Sequence, residues 1–336
     1  MAFFEYISRL IDDPDPVIVT PYGGYANEKS IHAQARVLED EGIKHTEEDS
    51  VFKNLYNSYK RFESDEKEGA TVKVSWGNKK TILTSDDEGY IYLDQTHHLD
   101  VKHQETLWIP VTYELIEGNT VIYKITSPVM KPSPLADFGV ISDLDDTVIE
   151  TGVSSTFKWQ LIVNSFMKHS HKRLPLEGVQ EFYNLLHKGI TGYNDNPFFY
   201  LSNSPWNIHD YLSAFLKKFN FPKGVLLLRD IGFNKIKSKH FTERNKYLKI
   251  SHILTTYPNM KFILIGDAAD LDPDIYIKIA QSFPQQVLSI YIRTVNNTKR
   301  TERAKKVIEE NTHVKVILTE GSKKAIDHAR TNGFIK

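Results

Sequence analysis

The chain has 336 residues, 40% hydrophobic and 25% charged, with 42 Lys and Arg against 43 Asp and Glu. A single hydrophobic core stops growing at about 250–300 residues, so two domains are expected. The near-zero net charge excludes a general nucleic-acid binder with a basic surface. The absence of cysteine excludes disulfides, thiolate metal sites, iron–sulfur clusters and a cysteine nucleophile.

The charge is unevenly spread. Residues 1–136 carry 14 basic and 23 acidic side chains, a net of −9, and residues 137–336 carry 28 and 20, a net of +8. Such asymmetry is a signal about partners rather than fold.

In chain order, residues 1–16 read as a helix with the apolar stripe Phe3, Phe4, Ile7, Leu10 and Ile11. Its other face, with Glu5, Ser8, Arg9, Asp12 and Asp13, lacks the basic side chains of a membrane-surface helix, so docking on its own domain is expected. With no basic n-region and no small-residue cleavage site, the segment does not read as a signal peptide. No apolar run approaches the roughly 20 residues that span a bilayer. A cytoplasmic location, with peripheral contact to a membrane, is the expectation.

Residues 17–130 are rich in short β-branched and aromatic runs: Val17–Val19, His32–Leu38, Thr71–Trp76, Tyr90–Leu93, Leu107–Leu115 and Thr120–Ile125. Alternation such as Val72, Val74 and Trp76 predicts half-buried strands, and Glu47–Glu63 carries apolar residues at helical spacing. An antiparallel β-sandwich-like domain with one inserted helix is expected. The string His97–His103 has the composition of a metal site but lies in a loop of this domain, and it is not assigned one. The Pro-rich stretch Ser127–Pro134 marks the boundary, since proline resists both helix and central strand.

Residues 137–336 alternate short apolar runs with helical patterns. The runs Phe138–Ile141, Phe198–Leu201, Val225–Leu228, Phe262–Ile265, Val287–Ile292 and Val314–Leu318 suit strands buried on both faces. The expected fold is α/β, a doubly wound parallel sheet. Ser204-Pro205 and Asp272-Pro273 are read as helix caps followed by proline at the first helical position.

The first of these runs leads into Asp143-Leu144-Asp145-Asp146-Thr147. Asp143 and Asp145 are two apart and project to one side of an extended chain, at the strand end where parallel sheets bind ligands. Carboxylates held so close need a cation between them or a shared proton, and Mg²⁺ is the hard, oxygen-seeking choice. Gly266-Asp267-Ala268-Ala269-Asp270-Leu271-Asp272 follows the fourth run, and Ser202-Asn203-Ser204 follows the second. Basic residues Lys235, Lys237, Lys239, Arg244 and Lys246 gather between the third and fourth runs.

This set resembles the haloacid dehalogenase superfamily, whose four motifs occur here in order across most of residues 137–295. The resemblance implies a nucleophile at Asp143, a general acid and base at Asp145, and a loop-holding hydroxyl at Thr147. It further implies phosphoryl contacts from Ser202 and Asn203, a charge-neutralising Lys246 and Mg²⁺ ligands Asp143, Asp145, Asp267 and Asp272. Lys249 remains an alternative to Lys246, and Asp270 to Asp272, which also reads as a helix cap. Longer strings, Phe138–Val153, Phe199–Asn207, Leu226–Asp230 and Lys261–Asp267, resemble the actin-patch-protein type of phosphatidate phosphatase. Val19–Tyr25 resembles the region upstream of that domain in prokaryotic members. The sequence departs from that family's pattern at Ala268-Ala269, where Ser-Gly is usual, and at Asn245, where His is frequent.

The resemblance implies Mg²⁺-dependent hydrolysis of a phosphate monoester through an aspartyl-phosphate, with phosphatidate or another phospholipid as the preferred class. Residues 150–175, with one helix over Phe157–Lys168, are long enough for a minimal cap only, so an open site is expected, suited to a phosphate on a lipid headgroup at a membrane surface. A small-metabolite phosphatase and a catalytically vestigial docking module are the alternatives. Nucleic acid is not an expected partner, and nothing in the sequence identifies one for the β-domain.

Overall fold

A computed structural model of the chain describes residues 16–40, 65–98, 104–145, 148, 175–229, 239–294, 298–311 and 315–336. The expected N-terminal helix, the helix over 47–63, the cap segment and Thr147 lie outside the described residues.

The first half forms β1 (Val17–Ala26), β2 (Ser30–Glu39), β3 (Thr71–Trp76), β4 (Lys79–Thr84), β5 (Tyr90–Thr96), β6 (Leu107–Glu117) and β7 (Thr120–Lys131). Two facing antiparallel sheets were expected; these strands instead join in one sheet of order β4-β3-β6-β7-β1-β2-β5. The joining pair is β1 with β7, which runs parallel, while the other pairs are antiparallel. The sheet curls until its end strands β4 and β5 touch. One face is therefore enclosed, and Val72, Val74 and Trp76 meet Ile31, Val37, Ile91 and Val111 in a common core. The sequence gives little sign of β4: Lys79 and Lys80 are exposed, as on an edge strand guarded by charge.

The Pro-rich stretch is partly strand, contrary to expectation, because β7 continues through Pro128 to Lys131. Pro128 stands opposite Pro110 on β6. The pairing of β3 with β6 ends at Val111, and β1 meets β7 only at Tyr25↔Met130, so neither missing N–H removes a ladder bond.

The second half contains β8 (Phe138–Asp143), β9 (Phe198–Pro205), β10 (Val225–Arg229), β11 (Lys261–Asp267), β12 (Val287–Arg293) and β13 (Val316–Thr319). All pairs are parallel, in the order β10-β9-β8-β11-β12-β13. Helices α1 (Val179–Lys188), α2 (His209–Lys218), α3 (Lys239–Thr256), α4 (Asp272–Ser282), α5 (Thr298–Glu309) and α6 (Ser322–Thr331) accompany them. Alternate residues of β8 enter different cores: Val140 packs with Phe182, Tyr211 and Phe215, and Ile141 packs with Ile250, Ile253 and Ile275. The sheet is thus covered on both faces, which explains the unbroken apolar runs. The strand order reverses at β8, with β9 on one side and β11 on the other, and this opens a crevice at their C-terminal ends.

Ser204 does not cap a helix. β9 runs on through Pro205, a short 3₁₀ turn covers Trp206–Ile208, and α2 begins at His209.

The two sheets are joined through Val19–Tyr25. β1 packs against β10, the edge strand of the parallel sheet. A register shift between Pro21 and Gly24 bulges β1. Gly24 is required there, because a Cβ would lie 2.0 Å from the His32 carbonyl oxygen. On one side of the bulge Tyr22 stacks on Trp206 with ring centroids 4.5 Å apart. On the other, Tyr25 meets Phe199 edge-on. Tyr257 donates to the Ala26 carbonyl at 3.0 Å, and Asn27 Nδ2 donates to the Thr256 carbonyl at 2.6 Å.

Candidate active site

Four strand ends supply the site. β8 delivers Asp143 fully buried at its last position, and the parallel pairing with β9 extends one bond further, the Leu144 N–H donating to the Leu201 carbonyl at 2.8 Å. Asp145 is thereby held beside the end of β9. Asp145 Oδ2 accepts from the Ser202 hydroxyl at 2.8 Å and from the Asn203 backbone N–H at 3.0 Å. Ser202 Oγ also accepts the Ser204 N–H at 2.9 Å, which fixes its rotamer.

The lysine comes from the middle of α3. Lys246 Nζ donates to Asp143 Oδ1 at 2.7 Å and to Asp272 Oδ1. α3 begins at Lys239 and places Lys246 two turns in. Lys249, the alternative, lines the same pocket, but its ammonium is on the Leu228 carbonyl rather than on a carboxylate of the site.

β11 ends in Asp267, whose Oδ1 accepts the N–H groups of Ala269 at 2.6 Å and Asp270 at 3.0 Å. Asp272 opens α4 but makes no capping bond to its own helix. Both its oxygens turn back: Oδ1 takes Lys246 and Oδ2 takes the Asp267 N–H at 3.1 Å. Gly266 makes this possible, since a Cβ there would stand 2.2 Å from Asp272 Oδ2. Asp270 instead accepts from Asn203 Nδ2 at 3.2 Å, tying the β9 and β11 loops together.

Burial sets the electrostatics. It pushes the Asp143 carboxyl well above its ordinary value; Lys246 opposes this, and Asp272 and Asp145 add to it. Burial likewise raises Asp145, against the bonds from Ser202 and Asn203, and raises Asp272 to about 6. For Lys246 burial acts downward, but Asp143 and then Asp272 more than reverse it, and the ammonium is held charged. Asp143 Oδ2 is buried without a hydrogen-bond partner. A carboxylate-only set with an orphaned buried oxygen fits a hard dication such as Mg²⁺.

The structure thus brings Asp143, Asp145, Ser202, Asn203, Lys246, Asp267 and Asp272 to one crevice, with Thr147 outside the described residues. Sequence reasoning passed over Arg229. It ends β10 and lines the same pocket as Ser202, Asn203, Asn245 and Lys246, with its Nε buried and unpartnered. An arginine closing an otherwise apolar strand was the signal available. His97 of the metal-like string is buried and donates from Nε2 to the Asn27 carbonyl at 2.8 Å, and residues 99–103 lie outside the described residues.

Residues 138–294 match the family model for the catalytic domain of phosphatidate phosphatase APP1. The chain is similar to phosphatidate phosphatase APP1 of Saccharomyces cerevisiae, with 33% identity over 217 residues, 64% of this chain and 35% of that protein. It is also similar to an uncharacterized protein of Schizosaccharomyces pombe, with 27% identity over 278 residues, 81% and 41% of the two chains. The chain therefore spans about two fifths or less of the length of these curated relatives. A carbohydrate acetylesterase structure from Xanthomonas citri aligns with 88% of this chain and 76% of its own, at 6% identity and a TM-score of 0.28, too low to inform the fold.

Proposed function

Residues 138–294 belong to the catalytic-domain family of phosphatidate phosphatase APP1, and from that premise we propose that this protein is a Mg²⁺-dependent phosphatase that releases phosphate from a monoester through an aspartyl-phosphate on Asp143. The observation that carries the reading is the buried ammonium of Lys246 held between Asp143 and Asp272 at the switch point of a parallel sheet. The strand order and the four loops support a haloacid-dehalogenase-like fold for this half.

An Asp143 carboxylate oxygen attacks phosphorus as the ester P–O bond breaks, and the leaving alkoxide takes a proton from Asp145. Burial raises the Asp145 carboxyl, which favours the protonated form that a general acid needs. Water then attacks the phosphorus of the aspartyl-phosphate and gives its proton to Asp145. The P–O bond to Asp143 breaks, and inorganic phosphate leaves. Ser202, Asn203 and Arg229, which line one pocket with Lys246, would hold the phosphoryl oxygens, and Lys246 would offset their charge. Asp143 and Asp267 would hold Mg²⁺ through their carboxylates, beside the proton-carrying Asp145, and the ion would supply the positive charge that lets an anionic nucleophile approach an anionic phosphate. With both oxygens engaged, Asp272 acts chiefly by orienting Lys246 and the β11 loop.

Phosphatidate or another phospholipid is the proposed substrate class, supported by the yeast relative's name and by the crevice at the strand ends. A lipid at a membrane surface would be reached peripherally; among the described residues no helix is long and apolar enough to cross a membrane. The test is phosphate release from phosphatidate vesicles, sugar phosphates, nucleotides and phosphopeptides, with Mg²⁺ and with Asp143→Asn as blank. Release from vesicles that vanishes in the variant supports the reading. Release from sugar phosphates alone selects a small-metabolite phosphatase, and no Mg²⁺-dependent release from any substrate contradicts the proposal.

A further inference from the structure

A second group of metal-ligating side chains lies at the joint between the two sheets. His32 on β2 and Asp94 on β5 are register partners, and His252 lies on α3, six residues after Lys246. Ligand atoms of the three residues all fall within 4.8 Å of one another. The imidazole rings meet edge to face with centroids 4.5 Å apart.

The hydrogen bonds around His32 fix its tautomer. Asn27 Nδ2 donates to the Thr256 carbonyl, so its Oδ1 is an acceptor, and the Ser30 hydroxyl donates its proton to that oxygen at 3.2 Å. Ser30 Oγ is therefore left to accept, and it takes the N–H of His32 Nε2 at 3.1 Å. His32 Nδ1 then carries a bare lone pair. It sits 3.0 Å from Asp94 Oδ1, yet it is buried and has no hydrogen-bond partner. In the neutral ring two acceptors face each other at this distance, an arrangement that a bound metal cation relieves as a proton on Nδ1 would.

His252 is held in the matching way. Its Nδ1 lies 2.5 Å from the Tyr25 hydroxyl. The hydroxyl can donate to Nδ1 or accept from Nδ1–H, and metal binding at Nε2 would select the second arrangement. Metal-bound histidines characteristically have the second ring nitrogen held by such a partner. Two imidazoles and a carboxylate suit Zn²⁺, Co²⁺ or Ni²⁺ and discriminate against Mg²⁺. Zinc bonds of about 2.0–2.2 Å require ligand atoms roughly 3.4 Å apart, so closure needs the side chains to draw in by about an ångström.

We propose that His32, Asp94 and His252 form a binding site for a transition-metal dication of the Zn²⁺ class, which pins the β-sheet domain to the helix that carries Lys246. The fourth position is left to water, because Asp94 is 72% exposed and His252 is also exposed. The site is independent of the Mg²⁺ site and of the phosphatase reading.

The test uses the full chain stripped with a chelator, then titrated with Co²⁺ in excess Mg²⁺ and followed by visible d–d absorption and by equilibrium dialysis. The expected result is a single tight equivalent of Co²⁺, displaced by Zn²⁺, with Asp94→Asn and His252→Gln each weakening binding at least about tenfold. Asp143→Asn retains it. Both altered side chains are exposed, so the metal-free variants should melt as the parent does, whereas Zn²⁺ should raise the melting temperature of the parent alone. If His252→Gln proves unstable, Asp94→Asn carries the test. Co²⁺ binding unchanged in Asp94→Asn, or lost with Asp143→Asn, overturns the proposal.

Discussion

Lys246 is the residue on which most of the site depends. It is buried between two buried carboxylates, so its charge is compensated chiefly by Asp143 and Asp272 and theirs chiefly by it. Removing one partner of such a set leaves uncompensated buried charge. Lys246→Met is expected to abolish phosphate release, by about 10³-fold or more, and to lower the unfolding free energy by about 3 kcal/mol, read by urea denaturation. The carboxylates give a second prediction at this scale. Asp272 is raised to about 6 by burial, and Asp143 and Asp145 are raised by the same cause. An acid whose folded pKa lies above its unfolded value binds its proton more tightly when folded, so stability falls as pH rises from the unfolded to the folded value. For Asp272 that window runs from about 4 to about 6. The metal-free protein should therefore lose stability from these groups as pH rises toward 6, and Mg²⁺ should restore more at pH 8 than at pH 5. Melting curves with and without Mg²⁺ at the two pH values check the sign. Asp143, Ser202 and Asp267 were legible in the sequence because an apolar run ends at each. Arg229 was not, because an arginine after four apolar residues has the same local pattern whether it faces solvent or a pocket.

At the scale of elements, strand ends, turns and glycines decide where charge can be placed. The runs of the parallel sheet were readable because strands covered on both faces need no polar alternation, and the predicted and observed strands differ only at their ends. Helix starts were less readable. Ser204-Pro205 and Asp272-Pro273 have the local chemistry of caps, yet Ser204 belongs to β9 and Asp272 turns toward Lys246. For Asp272 a tertiary partner replaces the local one, and for Ser204 the strand simply runs on; a sequence pattern records neither. Gly266 connects the element to the chemistry. Gly266→Ala places a Cβ 2.2 Å from the Asp272 carboxylate and must displace it. The expected result is a fold that survives, with Mg²⁺-dependent activity reduced by about 10²-fold, the scale of an ångström's misplacement at a reacting centre. Kinetics alongside circular dichroism separate this from global unfolding.

At the scale of the molecule, the opposite charges of the two halves belong to two sheets that share buried contacts. Tyr22 and Tyr90 lie in the same apolar cluster as Phe138, Trp206 and Tyr211, so the cores are not independent. The sequence divided the chain correctly in composition but could not show this joint, because Val19–Tyr25 reads locally as strand and turn. The merging of the expected sandwich into one curled sheet was hidden for a similar reason: the β1–β7 pairing joins segments about a hundred residues apart. A shared core predicts a single calorimetric unfolding transition. Tyr22→Ala should lower its stability by about 3–5 kcal/mol, as for other large buried aromatics; two separate transitions in the parent would contradict the shared core. The central claim is that Asp143 is the atom donor to phosphorus, and it is tested most directly by trapping. The enzyme is mixed with a hydrolysed substrate and Mg²⁺, quenched in acid, reduced with borohydride and digested for mass spectrometry. An acyl-phosphate on Asp143 is reduced to homoserine, so the account predicts homoserine at position 143 and at no other aspartate. Its appearance at another aspartate, or full turnover in Asp143→Asn, would contradict the account.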